Sequence, residues 1–220
     1  MGRSAIAAIA MVFLSRGIQG FDMFLLVLEA GQVKSILQRS SINQCCYPPR
    51  FAANFTLHGL WPVSNATSLP EYCDSTPYNA SQIADLMPEL RSRWPSLTCP
   101  QSNGDDFWEH EWEAHGSCAF ADDHDYFATT LRLRDMIHPL ADLGAAGIVP
   151  NGSSYAADSI LRALHTRTIL ECSSSGSRDY PQLYQIYYCV DRNATGFVDC
   201  PAVSSEGCSS RVAFLGLPTE

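Results

Sequence analysis

Lysine is almost missing from this sequence. Lys34 is the only lysine among 220 residues, and 14 basic side chains face 23 acidic ones, so the formal net charge is −9. Proteins that bind nucleic acids tightly use lysine and arginine to displace the counterions around phosphates. The composition therefore argues against tight, charge-driven binding of nucleic acid. An RNA substrate would be held weakly and locally, preferably at acid pH, where histidines are charged.

The sequence also lacks internal repeats, and no segment of it is long and apolar enough to span a bilayer. The first apolar run, residues 5–14, follows Arg3 and precedes small or polar residues. A basic start, a short apolar run and a small-residue end are typical of a signal peptide. We predict a signal peptide over residues 1–20, cleaved before Phe21, and a single domain over residues 21–220. A buried N-terminal helix is the alternative interpretation of the same run.

Nine cysteines and a set of glycosylation sequons place the chain outside the cytosol. A reducing cytosol would keep the cysteines unbridged, and N-glycosylation requires entry into the secretory route. We therefore predict a disulfide-bonded glycoprotein that is secreted to the extracellular space or delivered to an acidic vacuolar compartment. The five sequons begin at Asn54, Asn65, Asn79, Asn151 and Asn193.

The hydrophobic periodicity predicts an α+β fold, with a central antiparallel sheet and several helices packed around it. Irregularly interspersed strands and helices do not fit a series of βαβ units. Continuous apolar or β-branched segments indicate strands over residues 21–29, 54–58, 183–191 and 211–215. Apolar positions at helical spacing, with capping residues, indicate helices over residues 79–94, 105–115, 125–143 and 154–165.

The segment FTLHGLWP, residues 55–62, is the first that can carry chemistry. We expect a strand to deliver His58 to its end, and Gly59 to let the backbone pass close to a ligand. Trp61 offers a flat face on which a base can stack. Taken alone, a histidine beside apolar residues is more often structural than catalytic.

The second such segment is FWEHEWEAHGSC, residues 107–118. Glu111 and His115 are four residues apart on the predicted helix, so the carboxylate can orient the imidazole. His110 and His115 are five apart, which turns them roughly 140° from each other. That spacing argues against the two-histidine zinc motif, in which the histidines are four apart. Trp108 and Trp112 repeat at four and are expected in the core.

Together the two segments resemble, almost letter for letter, the active-site motifs of the ribonuclease T2 family, which includes plant S-type and S-like ribonucleases. The stretches FDMFLLVL, RWPSLTCP, AGIVPNGSSY and QLYQIYYCVD extend the resemblance over nearly the whole predicted mature chain. The resemblance implies an endoribonuclease that cleaves single-stranded RNA through a 2′,3′-cyclic phosphate. It also implies that no cofactor or metal ion is needed and that DNA, which lacks the 2′-hydroxyl nucleophile, is not cleaved.

The chemistry explains why such an enzyme needs two histidines. One neutral imidazole removes the proton of the 2′-hydroxyl, and one imidazolium protonates the departing 5′-oxygen. By resemblance His115 is the base and His58 the acid, while His110 binds phosphate and Glu111 stabilises the transition state. Trp61 is assigned to the substrate site.

The resemblance also implies a disulfide pattern that leaves one cysteine over. Cys45 has no mate in it, and a leftover thiol in a secreted protein is either free or pairs between chains. We therefore expect a monomer, with a Cys45-linked dimer as the alternative. The implied bridges are Cys46–Cys99, Cys73–Cys118, Cys172–Cys208 and Cys189–Cys200.

Two departures from the family pattern bear on activity. Ala114 stands where the family usually has lysine, and losing one preorganised charge commonly costs about two to three orders of magnitude in rate. We expect a lysine restored there to raise the rate with little effect on stability. After the first strand, Glu29 and an unfamiliar stretch replace the family's Gln-Trp-Pro and cysteine, which puts base preference in doubt. An aberrant transcript would also account for that stretch. The second hypothesis is thus a catalytically impaired relative that serves as a secreted storage or binding glycoprotein.

Overall fold

A computed structural model describes residues 20–30, 54–64, 68–97, 103–164, 166–173, 179–202 and 205–215. Within them, strands alternate irregularly with helices. The strands are β1 (Met23–Ala30), β2 (Phe55–Val63), β3 (Ser154–Ala156), β4 (Ile169–Ser173), β5 (Gln182–Val190) and β6 (Arg211–Ala213). The helices are α1 (Met87–Arg93), α2 (Asp105–Ala114), α3 (Asp123–Asp135), α4 (Pro139–Ala145) and α5 (Ala157–Ala163), with a 3₁₀ turn over Gly116–Cys118.

One six-stranded sheet organises the fold and confirms the predicted α+β class. Its order is β2-β1-β5-β6-β3, and β4 also pairs with β5. All pairs are antiparallel except the short contact between β5 and β6, which is parallel. The apolar run of β1 lies between β2 and β5, and six of its eight residues are buried. A central position thus explains why this strand reads as continuously hydrophobic.

Three tryptophans anchor the helices to the sheet. Trp94, Trp108 and Trp112 are each almost completely buried, as expected for the latter two. The Trp94 indole donates to the His58 carbonyl over 2.8 Å, and the Trp108 indole donates to the Trp94 carbonyl over 2.9 Å. Removing one such buried side chain typically costs about 3–5 kcal/mol of stability. The core therefore holds the end of α1 and the body of α2 against β2.

Prolines account for part of the difference between predicted and observed helices. The helix predicted over residues 125–143 is divided into α3 and α4 just before Pro139. Proline disfavours helical backbone in the residue before it and suits the first helical turn, where Pro139 lies. In the same way, the helix predicted over residues 79–94 is α-helical only from Met87, beside Pro88.

The strands also differ from the prediction. The strand predicted over residues 54–58 continues to Val63, and the helix predicted from residue 154 is preceded by β3. Strand β4 was missed, because its alternating burial spans only five residues.

Three disulfide bonds join the described elements. They are Cys73–Cys118, Cys172–Cys208 and Cys189–Cys200, the same pairs that the resemblance implies. Cys45, Cys46 and Cys99 lie outside the described residues, as does the predicted signal peptide up to residue 19. None of the helices in the described ranges has the length and apolar character needed to cross a membrane.

The asparagines of four predicted sequons are exposed on the surface. Exposure is what attachment of a glycan requires, and glycosylation at these positions remains a prediction. Asn65, the fifth, lies outside the described residues. The four exposed positions are Asn54, Asn79, Asn151 and Asn193.

Candidate active site

A β-bulge presents His58. Val27 of β1 pairs with Gly59 and Leu28 with Leu57, so His58 is the extra residue of β2 between two register pairs. Bulges of this kind redirect a side chain and are common beside active sites. The strand therefore does not end at His58, as the sequence suggested, but kinks there and continues.

The His58 ring lies between two polar groups and is 22% exposed. Its Nδ1 is 2.7 Å from the side-chain amide of Gln185 on β5. Its Nε2 is 3.7 Å from Oε1 of Glu111 on α2. Each ring nitrogen thus faces a different part of the protein, one across the sheet and the other across to the helix.

Glu111 is a fully buried carboxylate on the face of α2 that packs on the sheet. Its Oε2 accepts a 2.9 Å hydrogen bond from the indole Nε1 of Trp61. A carboxylate held in this way is fixed in direction, and its other oxygen points toward His58. The structure therefore brings together His58, Trp61 and Glu111, which are up to 53 positions apart in the printed sequence.

Gly59 makes room for this arrangement. A Cβ atom at Gly59 would collide with the Glu111 carboxylate and with the Trp61 indole. From the sequence, the missing side chain was expected to let the backbone pass close to a ligand. In the structure the space is filled by the Trp61–Glu111 hydrogen bond instead.

His115 lies just beyond α2 in a different environment. It is 5% exposed, and its Nδ1 has no hydrogen-bond partner among the residues that the structure describes. Burial, together with repulsion from His110, lowers the pKa of His115 from 6.5 to about 4. The ring therefore stays neutral at mildly acid pH and can accept a proton there. Its centroid is 4.9 Å from that of Trp61, and the planes are inclined by 32°.

The rings of His110 and His115 converge despite their spacing of five. Their centroids are 6.3 Å apart, because α2 ends at Ala114 and His115 has a non-helical backbone (φ −124°, ψ −50°). The angular argument against a shared metal is thus weaker than the sequence suggested. His110, Glu111 and His115 each offer a ligand atom within 4.8 Å of the others. We assign no metal there, because Trp61 and His58 already engage Glu111.

Ala114 is buried rather than open to the site. It is 1% exposed, and its carbonyl accepts a 3.0 Å hydrogen bond from the Tyr72 backbone N–H. The segment around Tyr72 is also tied to the turn after His115 by the Cys73–Cys118 bridge. A lysine at this position would have to displace part of that cover. Burial thus adds a stability cost that helix propensity alone does not include.

Neither neighbouring arginine replaces the missing lysine. Arg132 donates to the Ala194 carbonyl, while Arg134 donates to the carbonyls of Ile137 (2.8 Å) and Phe55 (3.2 Å). Both guanidinium groups thus donate to backbone carbonyls. They are not directed at the histidines.

Gln185 is a site residue that neither sequence motif contains. Gln185 is 2% exposed, and it lies opposite the fully buried Glu29 of β1 in the sheet register. The one signal in the sequence is a polar residue inside the Tyr-rich strand, two positions before Tyr187 and therefore on its face, and it does not point to His58. Whether Glu29 affects base preference stays a prediction, and residues 31–53 lie outside the described residues.

Comparisons with known proteins identify the family of the chain. A family model described as the Ribonuclease T2 family matches residues 21–200. Ribonuclease 1 of Arabidopsis thaliana is 41% identical over 181 residues, which cover 78% of this chain and 78% of that protein. A ribonuclease-like storage protein of Panax ginseng is 34% identical over 188 residues, covering 81% of this chain and 76% of the relative.

Solved structures show the same fold. The crystal structure of RNase NT in complex with 5′-AMP superimposes with a TM-score of 0.79 at 35% identity. The match covers 90% of this chain and 99% of that chain.

Proposed function

Because the chain belongs to the ribonuclease T2 family, we propose that it is an endoribonuclease that cleaves single-stranded RNA through a 2′,3′-cyclic phosphate, using two histidines. One observation carries this proposal. His115 is buried with its pKa lowered to about 4, whereas His58 faces the carboxylate of Glu111. The first environment favours a neutral ring and the second a charged one, which is what a base and an acid need.

The first chemical step uses both rings. His115 takes the proton of the ribose 2′-hydroxyl, and the 2′-oxygen attacks phosphorus. The bond from phosphorus to the 5′-oxygen breaks, and His58 gives that oxygen its proton. The cyclic phosphate can then be opened by water in the reverse sense, with His58 accepting a proton from water and His115 returning one to the 2′-oxygen.

The surrounding residues bind and stabilise. Glu111 favours the charged form of His58 through the 3.7 Å approach of its Oε1. His110 is exposed beside His115 and is assigned to a phosphate of the substrate. Trp61 holds Glu111 by its indole N–H, and its partly exposed ring remains the candidate for stacking on a base.

The substrate and the compartment follow from composition. A net charge of −9 favours weak, local binding of single-stranded RNA at acid pH, and DNA lacks the nucleophile. The sequons and the predicted leader favour a secreted or vacuolar glycoprotein, released from the membrane after cleavage of the signal peptide. We assign no cofactor, and a monomer or a Cys45-linked dimer are the expected states.

The test is an RNA cleavage assay with the purified, disulfide-intact protein. Yeast RNA is incubated between pH 4 and 8 with EDTA present, and the ends are analysed for 2′,3′-cyclic phosphate. A matched DNA of the same length is the control. Cyclic-phosphate ends from RNA alone, with a maximum below pH 7, are expected. No product at any pH would overturn the proposal.

That negative outcome would favour the second candidate, a storage or binding glycoprotein with impaired catalysis. Ala114 is the observation behind it, because the described site has lost a cation and neither Arg132 nor Arg134 replaces it. The relationship to a storage protein gives this candidate a precedent. Accumulation of intact protein without RNA cleavage would support it.

A further inference from the structure

A chain of hydrogen bonds leads from His58 across the sheet to a carboxyl group that has no role in the mechanism above. The Gln185 amide lies 2.7 Å from Nδ1 of His58. The amide nitrogen is the atom that faces His58, while the amide oxygen lies 2.8 Å from the hydroxyl of Tyr187. That hydroxyl is also in short contact with Oε2 of Glu171. The path thus runs from β4 through two side chains of β5 to the bulge in β2.

The sheet register explains how these side chains meet. Glu171 of β4 and Gln185 of β5 are paired residues, so they lie on the same face of the sheet. Tyr187 is two positions after Gln185 and shares that face. Gln185 is 2% exposed, which keeps water from competing for its amide. The path is therefore a fixed part of the sheet rather than a surface contact.

Counting protons leaves two arrangements. The Tyr187 hydroxyl has one proton and two neighbouring oxygens, on Glu171 and Gln185. If Gln185 donates to His58 Nδ1, its oxygen must accept from Tyr187, and Glu171 must then be protonated to donate to Tyr187. If Glu171 is ionised, its carboxylate accepts the hydrogen bond from the Tyr187 hydroxyl. The hydroxyl oxygen then accepts from the Gln185 N–H, and the Gln185 oxygen accepts from Nδ1–H of His58. The second arrangement needs only a half-turn of the amide.

We propose that Glu171, Tyr187 and Gln185 form a relay that fixes a proton on Nδ1 of His58, so that Nε2 is the atom that loses and regains the catalytic proton. These three residues position His58 and do not touch the substrate. The proposal rests on the proposed function in one respect, which is that His58 acts as the acid. Nε2 is the nitrogen that faces Glu111. Once Nε2–H has been given to the leaving oxygen, the ring is neutral with its proton on Nδ1, and the relay needs no rearrangement. A histidine that served both steps in this way would never have to change tautomer.

An imidazolium carries a proton on both ring nitrogens, so a charged His58 requires the second arrangement. The pKa of Glu171 is raised, because burial and the nearby Glu206 outweigh the hydrogen bond from Tyr187, which lowers it. Glu29 faces Gln185 from β1, Glu111 faces Nε2, and His115 lies beyond Trp61. Carboxyl groups therefore lie on the sides of both nitrogens of His58, and Glu171 acts on Nδ1 through Tyr187 and Gln185.

The tautomer of His58 is the direct test. Histidine-¹⁵N-labelled protein is titrated by NMR, and the ring couplings identify the protonated nitrogen once His58 is neutral. The parent is expected to show Nδ1–H. Tyr187→Phe is expected to show Nε2–H, because the Gln185 amide is then free to donate and Glu111 Oε1 favours a proton on Nε2. The titration midpoint of His58 should fall by about one pH unit with the loss of a hydrogen bond to a charged ring.

Two further variants separate the relay from general damage to the strand. Tyr188→Phe removes a hydroxyl from the opposite face of the same strand, where the group has no hydrogen-bond partner among the described residues. It should keep Nδ1–H. Gln185→Glu keeps an acceptor for Nδ1 and should also keep Nδ1–H, whereas Gln185→Leu should lose it.

The outcomes distinguish the relay from the proposed function. In the RNA assay, Tyr187→Phe should lower kcat about tenfold with little change in KM, and the alkaline limb should move to lower pH. If the parent cleaves RNA but Tyr187→Phe leaves the tautomer and that limb unchanged, the relay is overturned. If the parent cleaves no RNA yet its tautomer changes in Tyr187→Phe, the relay stands and the proposed function falls.

Discussion

The two halves of the site treat their histidines in opposite ways. On the sheet, His58 is partly exposed, with a hydrogen-bonded amide at one nitrogen and a carboxylate near the other. At the end of α2, His115 is buried, and the repulsion of His110 adds to its desolvation. One environment supports a charged ring and the other a neutral ring. The difference teaches that, in the proposed mechanism, the acid and base roles depend on where the two backbones place the rings, since the side chains are identical.

Removing either histidine ring should remove one of the two contrasting environments and give the largest effect on activity. His58→Phe and His115→Phe should each lower kcat/KM by about 10²–10⁴-fold, because each removes one general acid–base group. Residual activity in His115→Phe should lack the acid limb of the pH profile, and that in His58→Phe the alkaline limb. Retention of most activity in either folded variant would remove the two-histidine mechanism.

The burial of His115 should also make the free energy of unfolding depend on pH. The pKa of His115 is about 4 in the folded protein, against about 6.5 in an unfolded chain. The unfolded state binds more protons between these values, so the contribution of His115 is complete above about pH 6.5 and is lost as the pH falls toward 4. The loss amounts to at most about 3 kcal/mol of unfolding free energy.

Chemical denaturation at pH 7 and pH 4, with the disulfides intact, measures this effect. Other carboxylates titrate over the same range, so the parent is compared with His115→Phe. The parent should lose more stability than the variant between the two pH values. Equal losses would mean that His115 is not desolvated in the folded protein.

The smallest effect is expected from adding charge between the two halves. Ala114→Lys places a cation one residue before His115 and four after His110, where it can approach the phosphate. We expect about tenfold faster cleavage. Because Ala114 is 1% exposed, we also expect a cost of about 1 kcal/mol in unfolding free energy.

Ala114→Met is the matched control, because it adds a side chain of similar length without charge. It should show the stability cost and no gain in rate. An equal gain in Ala114→Met would assign the effect to repacking of the Tyr72 segment instead of charge.

The sequence could predict the elements whose signal is local. The apolar run of β1, the buried face of α2 and the Tyr-rich β5 are each visible in their own residues, and the two motifs identified the histidines. The bulge at His58 and the burial of Ala114 could not be predicted, because both depend on pairing between distant segments. Gln185 lies 127 residues from His58, and no periodicity connects them. The break before Pro139, by contrast, follows from a local rule and could have been predicted.

Gly59 limits how this protein can change by mutation. Its backbone lies so close to Glu111 and Trp61 that even the methyl group of alanine would collide with both. A substitution at this one position would thus remove the Trp61–Glu111 bond without touching either residue or any histidine. Loss of the proposed activity could therefore begin at a residue without a side chain, and such a protein would still carry His58, Glu111 and His115. A variant that keeps both histidines should therefore also be checked at residue 59 before it is expected to cleave RNA.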